Sequence, residues 1–186
     1  HLNENVVATT DDGARLKTDT LNIHADTSTI ETEDFAEVNK ENMVIEGTGA
    51  TCEQNFNKVE FHKNVKVVLD SGSESQVIIT SDGPLEVDYE GNIAEFTENV
   101  IAIDKNGTLR ADVMRVFYDN ETKQVEKIYG IGNVVIEQGD NKTYSDSVLY
   151  LAPEGRVILG GDPEAYVAPD EASALKTPFS GKGAQR

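Results

Sequence analysis

The stretch GIGNVVIEQGDNKTYSDSVLYL, from Gly130 to Leu151, contains two runs in which apolar and polar residues alternate. Alternation with a period of two puts every second side chain on the same face of a β-strand. The residues QGDN, from Gln138 to Asn141, separate the two runs and have the composition of a turn. The stretch therefore predicts two antiparallel strands that share one apolar face.

A step of Asn followed by Val recurs along the chain. Asn64, Asn99 and Asn133 each precede a valine and an alternating apolar run, at intervals of roughly 35 residues, which is typical of a repeated supersecondary unit. Strand signals and turn residues alternate along most of the chain, whereas helical periodicity is almost absent. We therefore predict an all-β protein made of antiparallel hairpins or meanders.

A second phrase places an aspartate shortly before a pair of alternating apolar residues. The aspartates of this phrase are Asp19, Asp82, Asp112 and Asp146. No calcium-loop spacing accompanies them, and aspartate commonly accepts backbone hydrogen bonds in turns. We therefore predict that each of these aspartates lies in a turn at the start of a strand and binds no metal.

The composition limits the choice of partners. With 34 Asp and Glu against 16 Lys and Arg, the chain of 186 residues carries a formal net charge of −18. A field of that sign repels phosphate backbones, so nucleic acid is excluded as a partner. No run approaches the roughly 20 apolar residues that span a bilayer.

No residue pattern points to catalysis or to a cofactor. His24 and His62 lie in strand patterns without a second ligand nearby, and the lone Cys52 has no histidine beside it. We therefore predict a half-buried structural cysteine, no bound metal and no cofactor. An acidic carbohydrate-active enzyme that uses Asp88 or Glu90 stays as an alternative.

Three motifs in the second part of the chain carry a family resemblance: RAD at Arg110–Asp112, GNVVI at Gly132–Ile136, and LGGDPEAYV at Leu159–Val167. Their order resembles the OstA-like family of lipopolysaccharide-transport proteins, in its LptA-like branch. The first part, with DGARLKTDTLNIHADTSTIET followed by IEGTGATCEQNFNKVEFHKNVKV, is similar to the LptC-like branch.

The resemblance implies a twisted, partly open antiparallel β jelly roll whose inner face holds the acyl chains of lipopolysaccharide. It divides the chain into an LptC-like module at 1–70 and an LptA-like module at 71–168 that is continuous with the first. Residues 169–186 contain small, polar and Pro residues without alternation, which predicts a flexible tail. The DSGSES segment, from Asp70 to Ser75, marks the predicted boundary, although one long hairpin loop would also fit it.

Alignment of the repeats predicts which side chains line the lipid groove. They are Leu21, Ile23, Val65, Val67, Leu85, Val87, Val100, Met114, Val116, Val134, Ile136, Val148 and Tyr150. The alternation changes phase between Ala111/Val113 and Met114/Val116, which predicts a β-bulge there.

These expectations define a non-catalytic periplasmic component that shields acyl chains and passes them toward the outer membrane. Its expected partners are lipopolysaccharide, other transport components that pair with its edge strands, and copies of itself stacked head to tail. The chain starts at His1, which favours a mature or truncated product whose signal or inner-membrane anchor lies upstream. The alternative is a β-rich assembly protein that oligomerises through its edge strands and binds no lipid.

Overall fold

The computed structural model describes residues 1–11, 13–53, 57–69, 72, 76–119, 121 and 124–167. All regular secondary structure in these residues is β-strand, which confirms the predicted fold class. In this part of the chain no helix is long and apolar enough to cross a membrane. The predicted boundary segment lies almost entirely outside the described residues, and so does the predicted tail.

In the described residues, thirteen strands form one sheet. In chain order they are β1 Leu2–Thr9, β2 Arg15–His24, β3 Thr29–Lys40, β4 Met43–Glu53, β5 Lys58–Leu69, β6 Val77–Ser81, β7 Leu85–Asp88, β8 Ile93–Asp104, β9 Gly107–Tyr118, β10 Val125–Gln138, β11 Asn141–Leu151, β12 Arg156–Gly160 and β13 Glu164–Tyr166.

The sheet is an antiparallel meander in which most strands pair with their neighbours in the chain. β6 and β7 share one position between β5 and β8, and β12 and β13 share the position beside β11. The pairing is continuous from β5 to β6 and β7, across the predicted module boundary. Gln138 pairs with Asn141, so Gly139 and Asp140 form a two-residue hairpin turn within the predicted turn segment.

Each Asn-Val step lies at a β-bulge in the middle of a long strand. In β8, Glu98 and Asn99 have left-handed backbones, with φ of 66° and 52°, and the register with β9 shifts between Thr97 and Val100. In β10, Gly132 and Asn133 repeat this geometry. Asparagine tolerates positive φ better than other residues with a β-carbon, which explains its recurrence.

The predicted position in a turn at the start of a strand was wrong for three of the four aspartates, whereas Asp82 lies in a bend shortly before β7, as predicted. Asp19, Asp112 and Asp146 lie inside β2, β9 and β11, and none of the three begins a strand. Asp112 instead accepts a hydrogen bond from Asn133 Nδ2 at 2.8 Å. Asp82, between β6 and β7, accepts one from Asn99 Nδ2 at 2.7 Å. These Asp–Asn pairs link neighbouring strands at the bulges.

The bulges divide the inner surface of the sheet into two walls. We call wall A the inward residues Ile45, Val67, Ile79, Ala102, Leu109 and Ile136, which are paired across successive strands. We call wall B the inward residues on the other side of the bulges, among them Phe61, Leu85, Phe96, Met114 and Val148.

The two walls face each other. Ala102 on wall A is 1% exposed and Met114 on wall B is 0% exposed, which a single open layer of sheet cannot achieve. Burial raises the pKa of Tyr150, in β11, and the carboxylate of Asp104 raises it further, although Asp104 ends β8 on the other side of the bulges. The meander is therefore folded over along the line of its bulges.

Small inward residues follow this line. Val65 pairs with Ser81, Val100 with Ala111, and Val134 with Ser145. All six are buried, and their size suits the narrow space where the walls converge. In β9 the buried positions change from Leu109 and Ala111 to Met114 and Val116, so the predicted phase change is confirmed.

Candidate functional site: the apolar interior

The central row of wall B contains bulky inward side chains. Phe61 pairs with Leu85, Leu85 with Phe96, and Phe96 with Met114. Each of the four is at most 2% exposed. Gly130 follows Met114 in this row, and a β-carbon there would lie 2.9 Å from Val148 Cγ1. The glycine therefore makes room for side chains that fill the interior.

A second row of wall B is covered at one end and open at the other. Its members, in order across the sheet, are Ile23, Ile30, Cys52, Val59, Val87, Ala94, Val116, Ile128, Tyr150 and Val157. Tyr150 is 3% exposed, whereas Ile23 is 52% exposed. The apolar face thus emerges into solvent at the β1–β3 end.

All of the predicted groove residues except Ile23 are buried, and all of these except Leu21 belong to the core. Ile23 shares their face, because it is in register with Ile30 in the row that leads to Val116 and Tyr150. Its greater exposure follows from its position near the end of the described sheet, where only β1 lies beyond β2. Contact of any of these residues with acyl chains stays a prediction.

Sequence reasoning missed much of the interior. Phe61 and Phe96 are the largest omissions, and each lies three residues before a bulge asparagine, in FHKNV and FTENV. That shared spacing would have identified both. Ile45, Ile79 and Leu109 of wall A were also missed, although each is a buried position between two less buried neighbours in its strand.

The interior offers little reactivity. Cys52 is half-buried, as predicted, and burial raises the pKa of its thiol to about 11, with a smaller contribution from Glu53. A thiol with that pKa is a poor nucleophile near neutral pH. The inner surface can therefore hold a ligand chiefly by excluding water from apolar groups.

The polar candidates have partners at the surface. His24 Nε2 lies 2.7 Å from Glu31 Oε1, and His62 Nε2 lies 2.9 Å from Thr51 Oγ1. Asp88, one of the two carboxylates of the enzyme alternative, accepts from the backbone N–H of Gly91 at 2.8 Å.

Glu90, the other carboxylate of that alternative, accepts from Asn57 Nδ2 at 2.6 Å. Both acids therefore have hydrogen-bonding partners in or near turns. No group of three or more His, Cys, Asp or Glu side chains within the described ranges could hold a metal ion.

A folded antiparallel sheet with an apolar interior and open edges defines the class of LptA-like β jelly rolls. A solved structure with this fold is LptH from Pseudomonas aeruginosa, described as the LptA homologous periplasmic component of the conserved lipopolysaccharide transport device. It superposes with a TM-score of 0.52 at 12% identity, over 62% of this chain and 81% of that chain. A search of curated proteins found no match.

Two family models match the sequence. The model for LptC-related lipopolysaccharide-assembly proteins matches residues 1–70, and the model for the LptA/(LptD N-terminal domain) LPS transport protein matches residues 78–175. The second match covers more than half of the chain, so the chain belongs to this lipopolysaccharide-transport family, as the sequence motifs predicted. Proteins of this family are transport and binding components.

Proposed function

We propose that this chain is a periplasmic relay component that holds the acyl chains of lipopolysaccharide between walls A and B and passes them toward the outer membrane. The observation that supports this proposal is the continuity of the inward apolar rows, which run from β2 to β12 without a charged side chain among the wall B residues named above. Such a surface suits an acyl chain that can occupy different positions along the rows from β2 to β12.

The exposed end of the interior suggests where a ligand first contacts the protein. Leu2 pairs with Leu21, and both lie on the same face as Ile23. Leu2 is 48% exposed, whereas Leu21 is 5% exposed. An acyl chain that contacts Leu2 and Ile23 could slide beneath wall B, where each buried methylene gains about 0.8 kcal/mol.

Entry requires the interior to open, because Phe61, Leu85 and Met114 already fill wall B. Separation of the walls along the line of small residues would expose the rows without breaking the hydrogen bonds between strands. This movement costs the packing of the core, so the energy for transport must come from elsewhere in the system.

Site-specific photo-crosslinking tests the proposal. A photoreactive residue at Ile23 or Val116 should give lipopolysaccharide adducts, because both positions face the interior row. Matched outward positions are Phe35, which is 55% exposed against 52% for Ile23, and Arg115, which is adjacent to Val116. Adducts at Phe35 and Arg115 equal to those at Ile23 and Val116 would contradict an inner binding surface.

A second candidate is an assembly protein that binds no lipid, which the filled interior favours. Strands β1 and β12 end the described sheet, and free strand edges can pair with other chains. A proline substitution at Lys17 does not test this edge pairing, because β2 is an internal strand of the sheet. A proline at Val7, in β1, should reduce head-to-tail assembly or docking to other transport components if this edge is used. Concentration-dependent rods of delipidated protein without lipid adducts at Ile23 would favour the assembly role alone.

A further inference from the structure

Strands β9 to β12 carry apolar side chains on their outer face as well as on their inner face. The outward apolar residues of this region, which we call the outer patch, are Val113, Phe117, Tyr129, Ile131, Leu149, Leu151 and Ile158. They alternate with the buried residues of wall B, and within the described chain none of them belongs to the core or packs against it. A sheet that is apolar on both faces is normally covered on both.

The residues of the outer patch are in register with each other. Tyr129 pairs with Leu149, and Leu149 pairs with Ile158, which is 44% exposed on the edge strand. The Lys127 ammonium lies 4.4 Å from the centre of the Phe117 ring. From the spacing of strands and residues, the four strands present an area of about 14 Å by 13 Å.

The outward row that contains Tyr129 is apolar in β10 to β12 and becomes acidic beyond β9, in β8, β7 and β5. From Tyr129 the row passes to Arg115 and then to Glu95, Glu86 and Glu60 in β8, β7 and β5. Arg115 donates to Glu95, so the change from apolar to acidic occurs at this ion pair. The patch therefore differs from the rest of the outer face.

Carboxylates border the outer patch on two further sides. Asp112 and Asp146 are exposed at the bulges of β9 and β11. Asp119 follows β9, and Glu154 lies in the turn before β12, where it pairs with Arg156 at 3.1 Å. An apolar centre with a charged rim has the composition of a protein interface.

We propose that the outer patch is a docking surface for a protein partner whose contacting face is apolar at its centre and rich in Lys and Arg at its rim. The acidic border selects the partner's charge. A second copy of the same surface would bring two acidic rims together, and an anionic membrane would meet the same repulsion. The width of the patch accommodates one α-helix, whose diameter with side chains is about 10–12 Å.

Fluorescence anisotropy with a labelled synthetic helix tests this inference on the full chain. The probe is an amphipathic peptide with leucine on one face and lysine on the other. The variants Leu149→Ser and Ile158→Ser should each weaken its binding by about tenfold, as expected for truncating large apolar interface residues. Ile103→Ser is the matched control, because Ile103 is 45% exposed, lies in β8 beyond the bulges and is remote from the patch.

Three results would overturn the inference. The first is equal binding of the lysine peptide to wild type, Leu149→Ser and Ile158→Ser, which would indicate attraction by net charge alone. The second is tighter patch-dependent binding of a leucine and glutamate peptide, or of vesicles of anionic phospholipid. The third is a dimer seen in sedimentation that Ile158→Ser abolishes.

Ile158 lies on the edge strand and is substantially exposed, so this variant should stay folded even if Leu149→Ser does not. A matching urea midpoint for wild type and Ile158→Ser verifies that. The inference does not depend on lipid transport, because the patch lies on the opposite face from the interior rows.

Discussion

Strands β1 and β8 carry the same phrase in different surroundings. LNENV at Leu2–Val6 and FTENV at 96–100 both place two consecutive left-handed residues before the valine, with φ of 69° and 52° in β1 and of 66° and 52° in β8. Yet Leu2 is 48% exposed and Phe96 is 2% exposed. The bend is therefore a local property of the phrase, whereas burial depends on neighbouring strands.

The number of neighbours explains the difference. β8 pairs with β6 and β7 on one side and with β9 on the other, whereas β1 pairs only with β2 in the described chain. Wall A also covers the inner face of β8. We therefore expect the β1–β3 end to open locally at a lower free energy than the β8–β10 region.

The largest effect should come from removing the buried aromatic ring. Phe96→Ala should lower the free energy of unfolding by about 3–5 kcal/mol, because it leaves a cavity in wall B. Leu2 has the same position in LNENV as Phe96 has in FTENV. Leu2→Ala should lower the free energy of unfolding by no more than about 0.5 kcal/mol, because Leu2 is half exposed. Urea unfolding of both variants measures the difference. Equal losses would mean that β1 is covered as well as β8 in solution.

A smaller effect should come from the bulge itself. Asn99→Val puts a β-branched residue at a positive φ and removes the hydrogen bond to Asp82, so it should cost about 2–3 kcal/mol. Asn99→Gly keeps the backbone geometry and should cost about 1 kcal/mol. If Asn99→Val and Asn99→Gly were equally stable in urea, the left-handed backbone would not matter.

The repeated phrases made most of the fold predictable, because bulges and alternation are local. Val65, Val100 and Val134 were correctly placed on the inner face, since each follows an asparagine that starts a new phase. The fourth copy, at Asn5, was overlooked, because its leucine and valines occur at the start of the chain without a preceding strand signal.

Other features depend on contacts that alternation does not encode. The exposure of Ile23 follows from its position near the end of the sheet, which no property of LNIHA indicates. The strands were predicted to have one apolar face, and the outer patch was missed. Runs such as VMRVFY and SVLYLA are apolar at both odd and even positions, so periodicity alone could not separate the two faces.

The Asp–Asn pair between β9 and β10 should contribute less than the bulge. Asp112→Ala removes the acceptor for Asn133 Nδ2 and should cost about 1 kcal/mol. Asp19 has the corresponding position in β2, where Phe35 replaces the asparagine before the buried Ala36. Asp19→Ala should therefore have little effect on the urea midpoint. If Asp19→Ala lowered the urea midpoint as much as Asp112→Ala, the hydrogen bond from the asparagine amide would not explain the loss of stability in Asp112→Ala.

The smallest effects should come from matched surface ion pairs, one at each end of the molecule. Lys142 donates to Glu137 at 2.6 Å and lowers the pKa of that carboxyl, to which Arg110 contributes further. Lys17 donates to Glu37 at 2.8 Å and, with Asn39, lowers the pKa of Glu37. Both pairs lie at the surface, where solvent screening weakens the attraction between the charges.

A carboxyl whose pKa is lower in the folded state stabilises the protein above its unfolded pKa, and this contribution is lost as the pH falls through the folded pKa. Carboxyl carbon NMR titration should therefore find the pKa of both Glu37 and Glu137 below 4.5. Lys142→Gln should raise the pKa of Glu137 and leave that of Glu37 unchanged. A normal pKa for Glu37 together with a lowered pKa for Glu137 would mean that the β2–β3 pair is already open in solution. The less stable end of the sheet would then extend beyond β1 to β2 and β3.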